Sequence, residues 1–415
     1  MRRNSTWLLG LLVACGLHHG ANTAGGDPTS LWDKTLPLPT RQQLTYPVGA
    51  VDVVVHRATG DGYDFLHDAA IVQHKGFLLA AWYNCPRGEM IGAAVIRGRR
   101  SCDGGRTWSG LEVIAADVKK QGILYVPVAF LSHGGRLYAF VTNMRGGPDR
   151  VERCELFVLD EPADRWESRG FIAGPYLPNG APQRLPDGCF LMAGRVAERP
   201  GELPTIPAVA ISRGQRLAEP WRVVRLLPTG RLPDGRRLPI PETTAIVDHA
   251  EVLAVVRREK ANTLLFRSRD GGRTWSAPQE HNFPMAWSKV YAGLLSSGQR
   301  YVLCNVPCQA SRDLLVIAVS RPGEATFCRM WKLRDGHSAA LGCGPEWSYP
   351  SAIEHDGQLS VVYTSEKHHC VMTSVPVKSL AVTDAKREEA KPGELLYNGI
   401  RLPAIIRDEK PEIPL

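Results

Sequence analysis

The chain has 415 residues, 22% of them charged, with 40 glycines, 31 prolines and a formal net charge of +8. So many turn-forming residues, with no stretch of helical hydrophobic period, exclude a helical architecture and leave an all-β one. The isoelectric point near 9.0 suits an acidic glycan partner, but the arginines are scattered and no nucleic-acid motif occurs, so nucleic acid is not an expected partner.

At the N-terminus, Arg2 and Arg3 precede the apolar run Trp7–Val13 and then small residues. This is the layout of an export signal. Two readings of its end stand. Cleavage after Ala24 would make residues 1–24 a signal peptide. Leu12-Val-Ala-Cys15 also resembles a bacterial lipobox, in which Cys15 is lipidated and anchors the protein to a membrane. Either way the expected location is outside the cytoplasm: secreted, periplasmic or held as a lipoprotein. No later run is long enough to span a bilayer. Residues 25–44, in the Pro-rich polar stretch Asp27–Pro47, read as a linker. Residues 45–382 read as one closed domain and 383–415 as a charged tail. Val51–Val55 is a candidate strand for closing that domain, and Leu395–Asn398 and Ile400–Pro403 are candidate segments for packing on it.

Within the domain, short apolar runs follow tight turns, as in Gly76–Trp82, Arg136–Thr142, Cys189–Gly194 and Gln358–Thr364. These are strand signals. Two segments share one longer pattern, S-x-D-G-G-R-T-W: Ser101, Asp103, Gly105, Thr107 and Trp108 in the first copy, Ser268, Asp270, Gly272, Thr274 and Trp275 in the second. Asp103 and Asp270 can accept hydrogen bonds from the amides of their own turn. The glycines supply the positive φ it needs. Thr and Trp are expected to begin a strand, with the indole packed between neighbouring sheets.

Looser copies occur at Val158–Asp160 with Trp166, at Ala210–Gly214 with Trp221, at Ala318–Gly323 with Phe327, and at Tyr363–Ser365. Ser101 to Ser212 is 111 residues, room for two repeats; the next intervals are 56, 52 and 45. Six turns at this period indicate a β-propeller of six four-stranded blades, with seven as the alternative if either end hides another.

The repeated pattern resembles the Asp box of sialidases and related BNR-repeat propellers, where it is a structural element on the face opposite the active site. That resemblance implies an exo-glycosidase acting on a terminal acidic sugar of a glycan. Glu242 and Arg257, 15 residues apart and just before the second box, resemble the family's Glu followed by an active-site Arg. Arg312, opening the strand that leads to Ser320, resembles its third Arg. Tyr349 lies in a segment similar to that of the nucleophilic Tyr, and Glu366 stands where a Glu orients an Arg. In this reading Tyr349 attacks, Glu242 takes its proton, and Arg257 and Arg312 hold the substrate carboxylate by bidentate hydrogen bonds. A neutral Tyr avoids the repulsion that a carboxylate nucleophile would meet.

The first blade departs from the family. Sialidases begin with a Phe-Arg-Ile-Pro string; here the stretch is Phe65–Ala69, with His67 and Asp68 in place of the Arg. The loop from Trp82 to Glu89, where the family keeps an Asp acid, has none. Asp68 and Glu89 are the carboxylates left to donate a proton, and Arg87 is left to supply a charge. His67 opens a second reading, a uronate lyase in which it moves a proton. A third is a glycan-binding propeller without catalysis. No cofactor is expected, nor a metal: there is no C-x-x-C or H-E-x-x-H, and His368 and His369 would face opposite sides of a strand. The ten cysteines leave room for bridges between blades, with Cys304 and Cys308 near neighbours.

Overall fold

The computed structural model describes residues 29–58, 61–337 and 345–382, together with the backbone of 394–397 and 400–402. The readings at Cys15 and the export signal lie outside the described residues. The rest is six antiparallel sheets in sequence around an axis. The innermost strands of blades one to six begin at Phe65–His74, Ile123–His133, Tyr176–Pro178, Thr243–Asp248, Tyr291–Leu294 and Trp347–His355. Blade four has three strands, and its fourth is reduced to a bridge between Leu265 and Gln279.

The central strands carry apolar residues on both faces because each sheet is sandwiched between two others. Six apolar clusters result, one in each gap between successive blades. Six gaps for six sheets settle the blade number against seven. The gap between blades six and one exists because Val51–Arg57 pairs antiparallel with His369–Pro376 as the outer strand of blade six. Its side chains alternate: Val53 and Val55 enter the gap toward blade one, and Val54 the gap toward blade five. The tail strand Glu394–Tyr397 adds a parallel partner to Val51–Arg57 and pairs in turn with Ile400–Leu402.

Both Asp boxes form the same hydrogen-bonded knot after the third strand of their blades. Asp103 Oδ1 accepts from the Arg106 and Thr107 amides at 2.9 Å, and Ser101 Oγ accepts from Gly105 N at 2.8 Å. Asp270 and Ser268 repeat this with Arg273, Thr274 and Gly272. Gly105 has φ +88°, a conformation that demands glycine, and a Cβ there would lie 2.2 Å from Met372 Cε, so that side chain would have to shift. Trp108 packs between blades six and one, and Trp275 between blades three and four.

Four details differ from the sequence reading. Thr107 and Trp108 do not begin a strand; it starts at Glu112, and the second box has no regular strand after it. The knot consumes the Thr hydroxyl on Asp103 Oδ2 at 2.6 Å and turns the indole onto Gly105 O at 3.1 Å before the chain extends. Tyr363–Ser365 is not a box position, because it precedes the turn between the second and third strands of blade six. That blade takes its fourth strand from the other end of the chain, so no turn of the box kind can form. Residues 29–44 are not a free linker: Leu31, Trp32 and Leu44 are buried between blades four and five, and Arg41 pairs with Asp313 and Asp335. The prolines there mark an extended segment laid on the surface. The eight described cysteines are free thiols, so none of them bridges blades.

If the outer strand of blade six closes the ring, Val55→Asp places an unpaired charge in the last gap. It should cost on the order of 3–5 kcal/mol, read as a lowered denaturant midpoint; an unchanged midpoint would contradict closure by this strand.

Candidate active site

The innermost strands of blades one, two and six carry the same irregularity. Pairing with the second strand skips between His67 and Ala70, between Tyr125 and Val128, and between Ser348 and Ser351. Such bulges re-aim a side chain out of the regular alternation. Asp68 and Tyr349 occupy two of them at φ 53° and 59°, a region bulky residues avoid. Glu242 and Lys289 stand just before the innermost strands of blades four and five. Four blades thus direct polar groups toward the axis, on the face opposite the Asp boxes.

Tyr349, Glu242 and Arg257 meet directly. Tyr349 Oη donates to Glu242 Oε1 at 2.7 Å. Arg257 Nη1 donates to Glu242 Oε2 at 2.7 Å and to Tyr349 Oη at 3.2 Å. The Arg257 amide also donates to the Glu242 carbonyl at 2.9 Å, so the two are cross-strand partners within one blade. Their side chains are 10% and 4% exposed. Burial alone would raise the Glu242 carboxyl, but Arg257 and then Arg195 outweigh it and hold it at about 2. Burial and the Glu242 charge push the Tyr349 phenol up, against Arg257 and Arg312. At rest the pair is a neutral phenol on a firmly ionised carboxylate.

Around this group stand His67, Arg312, Lys289 and Asp68. The His67 ring lies 4.1 Å from that of Tyr349, centroid to centroid. Its Nδ1 is 2.8 Å from Thr364 Oγ1, and the Thr364 hydroxyl donates to Ser348 O at 3.1 Å. Thr364 therefore accepts from Nδ1–H. Burial, then Lys367, Arg312, Lys289 and Arg257, hold the ring well below the usual histidine range. In the neutral ring Nε2 keeps the lone pair. Arg312 lies 5.4 Å above the Tyr349 ring and pairs with Glu346 Oε1 at 2.9 Å. Lys289 forms a buried pair with Asp68 and lies 5.7 Å from the Tyr349 ring centroid.

Two cavities adjoin the central group. An open cleft of about 390 Å³ is lined by Arg257, Trp287, Arg312, Glu346 and Lys367. A smaller axial cavity of about 70 Å³ is faced by Asp68, Glu89, Asp149, Arg195, Glu242 and Tyr349. Arg257 walls the first while its two partners wall the second.

The family model described as "BNR repeat-like domain" matches residues 76–361. The chain belongs to the BNR repeat-like domain family. Among solved structures, this BNR protein is similar to Hadza microbial sialidase Hz136, with 15% identity and a TM-score of 0.61 over 79% of this chain and 68% of that one. It is similar to a protein of unknown function from Dyadobacter fermentans, with 15% identity and a TM-score of 0.58 over 79% and 98%. It is also similar to Trypanosoma rangeli sialidase in complex with 2,3-difluorosialic acid as a covalent intermediate, with 12% identity and a TM-score of 0.58 over 85% and 60%. Comparison with curated proteins gave no match. At these identities the likeness shows the shared six-bladed fold.

Within this BNR propeller, Tyr349, Glu242, Arg257, Arg312, His67, Asp68 and Glu89 converge on one face. Two sequence-derived candidates fall short of the expected place. Glu366 does not orient an arginine: its Oε1 accepts from Glu346 N at 2.7 Å, and it is Glu346 that holds Arg312. Arg87 is exposed and lines neither cavity. Glu89 accepts from Tyr83 Oη at 3.0 Å and lies 3.4 Å from Lys367 Nζ. Sequence reading missed Lys289, Arg195, Asp149, Glu346 and Lys367. One signal was present for Lys289: Trp287-Ser-Lys289-Val-Tyr-Ala292 repeats the frame of Trp347-Ser-Tyr349-Pro-Ser-Ala352 in the next blade.

The Glu242 carboxyl sits near 2 in the fold against an ordinary 4.5. A depressed folded value stabilises above the unfolded value and is lost as pH falls toward the folded one. Denaturant midpoints of the wild type should therefore decline by a component worth a few kcal/mol between about pH 4.5 and pH 2. Glu242→Gln should lack that component; an identical decline in the variant would contradict the assignment.

Proposed function

We propose that this protein is an exported exo-glycosidase of the sialidase type, removing a terminal acidic sugar from a glycan. The contact of Arg257 with both Glu242 and Tyr349 Oη carries the reading. A substrate carboxylate taken by Arg257 would lie beside the phenol oxygen, so it belongs on or next to the carbon that Tyr349 attacks. A sugar acid with its carboxylate on the anomeric carbon meets that condition. Arg312, across the same cleft, supplies the second clamp. Tyr349 forms the bond to the anomeric carbon and passes its proton to Glu242, the tyrosine exception among glycosidases. Glu242 is a weak base at rest. A carboxylate on Arg257 offsets the charge that holds Glu242 down, so substrate binding itself strengthens the base. The sialidase and covalent-intermediate structures among the similar folds support this reading and do not fix the sugar.

A second reading is favoured by His67, whose lone-paired Nε2 belongs to a neutral ring packed on Tyr349. A neutral base next to a phenol suits proton abstraction beside a carboxylate. It would be a uronate lyase, recognised by a rise in ultraviolet absorbance from an unsaturated product.

The wild type should release the acidic sugar from a fluorogenic sialoside, and Tyr349→Phe should lower turnover about a thousandfold or more. Inactivity toward a panel of sialosides would remove the sialidase reading. Unsaturated product from a uronate polymer would replace it with the lyase, and glycan binding without turnover would make the protein a lectin-like propeller.

A further inference from the structure

The loop where the sialidase pattern keeps its acid has no Asp, so the leaving group needs a proton from elsewhere. We propose that Asp149, on the loop between the second and third strands of blade two, is that proton donor; this rests on the glycosidase reading above. Asp149 lines the axial cavity together with Tyr349 and Glu242. A cavity of about 70 Å³ holds about two water molecules. The scissile oxygen, rather than the whole sugar, has to enter it, while the sugar acid group occupies the adjoining arginine cleft.

Three carboxylates besides Glu242 face this cavity, and their contacts separate them. Asp68 is 8% exposed and its Oδ1 is claimed by the Lys289 ammonium, so water cannot readily restore a proton to it. Glu89 already has a neighbour at each oxygen, Tyr83 Oη at 3.0 Å from Oε1 and Lys367 Nζ at 3.4 Å from Oε2. Asp149 is different. Its Oδ1 lies 3.5 Å from Arg195 Nη2, a long contact, and among the described residues Oδ2 is left to bear the proton. Its side chain is 38% exposed, enough for exchange with water. Burial, with Glu89 and Glu242 nearby, holds its carboxyl above the usual range against the pull of Arg195. Arg195 then serves as the positioning residue that steadies the anion once the proton has left.

The two steps balance. In the first, the bond between the anomeric carbon and the glycosidic oxygen breaks, and its electron pair stays on that oxygen. The oxygen takes the Asp149 proton and leaves as an alcohol. Tyr349 Oη bonds to the carbon and its proton goes to Glu242. In the second, the Asp149 carboxylate takes a proton from water and the water oxygen bonds to the carbon. Tyr349 leaves with the electron pair of its bond and recovers its proton from Glu242. One water is consumed and every protein group is restored.

The test compares a 4-methylumbelliferyl sialoside, whose leaving group needs little protonation, with an oligosaccharide sialoside, whose leaving group needs it. Asp149→Asn should lose about a hundredfold or more in kcat/KM on the oligosaccharide and less than about tenfold on the aryl substrate, with the basic limb of the pH profile gone. Asp149→Ala should regain turnover of the aryl substrate with added azide, which attacks the glycosyl-enzyme without a base and separates loss of the proton donor from loss of the fold. Equal losses on the two substrates, full activity in Asp149→Asn, or the leaving-group split appearing in Glu89→Gln instead would overturn the assignment while leaving the glycosidase reading intact. A wild type that cleaves neither substrate would overturn that reading and this assignment together.

Discussion

The site depends on one constraint: the ring must close. Tyr349 and Glu242 share a 2.7 Å hydrogen bond although 107 residues separate them, and their blades are not neighbours. Nothing local holds them together. They meet because every gap between blades is filled by its own apolar cluster and because Val51–Arg57 completes blade six from the far end of the chain. Six interfaces of the same kind fix the width of the axis, and that width sets which side chains touch across it.

The rigid ring also sustains groups that would be costly elsewhere. Asp68 and Tyr349 adopt left-handed backbone conformations, each worth of order 1–3 kcal/mol of strain. Glu242, Arg257, Lys289 and Asp68 are charged groups largely withdrawn from water, tolerated because each has an opposite partner in contact. Both devices have the same result: a phenol, a carboxylate and a guanidinium held in mutual reach by the fold itself. The sequence change at blade one fits this balance. Where the first-blade arginine of the sialidase pattern would add a cation, this chain places an Asp68–Lys289 pair that adds no net charge to the axis.

The fold was legible because its signal is repeated and local. The box at Ser101–Trp108 needs only its own turn, and the second copy at Ser268–Trp275 gives the period. Val51–Val55 was readable as a candidate closing strand because Val-Asp-Val-Val-Val is a short, nearly continuous apolar run. The core of the site was legible through the resemblance around Glu242, Arg257, Arg312 and Tyr349. The rest was not, because partnership across the axis leaves no mark on neighbouring residues. Glu346 rather than Glu366 holds Arg312, since the strand start at Trp347 brings residue 346 beside residue 312 through a 2.9 Å backbone bond from Trp347 N to Arg312 O. Asp149 and Arg195 lie on blades two and three, in segments with no catalytic pattern. Residues 29–44, anchored by the buried Leu31, Trp32 and Leu44, were misread because a proline-rich segment looks alike whether it is solvated or laid on the surface of the domain.

The most direct test of the central claim is mass spectrometry of the protein incubated with a 2,3-difluorinated sialic acid, followed by peptide mapping. One glycosyl adduct is expected, on Tyr349, and none in Tyr349→Phe. Turnover of sialosides with no adduct at Tyr349, or an adduct on another residue such as Glu242, would contradict it.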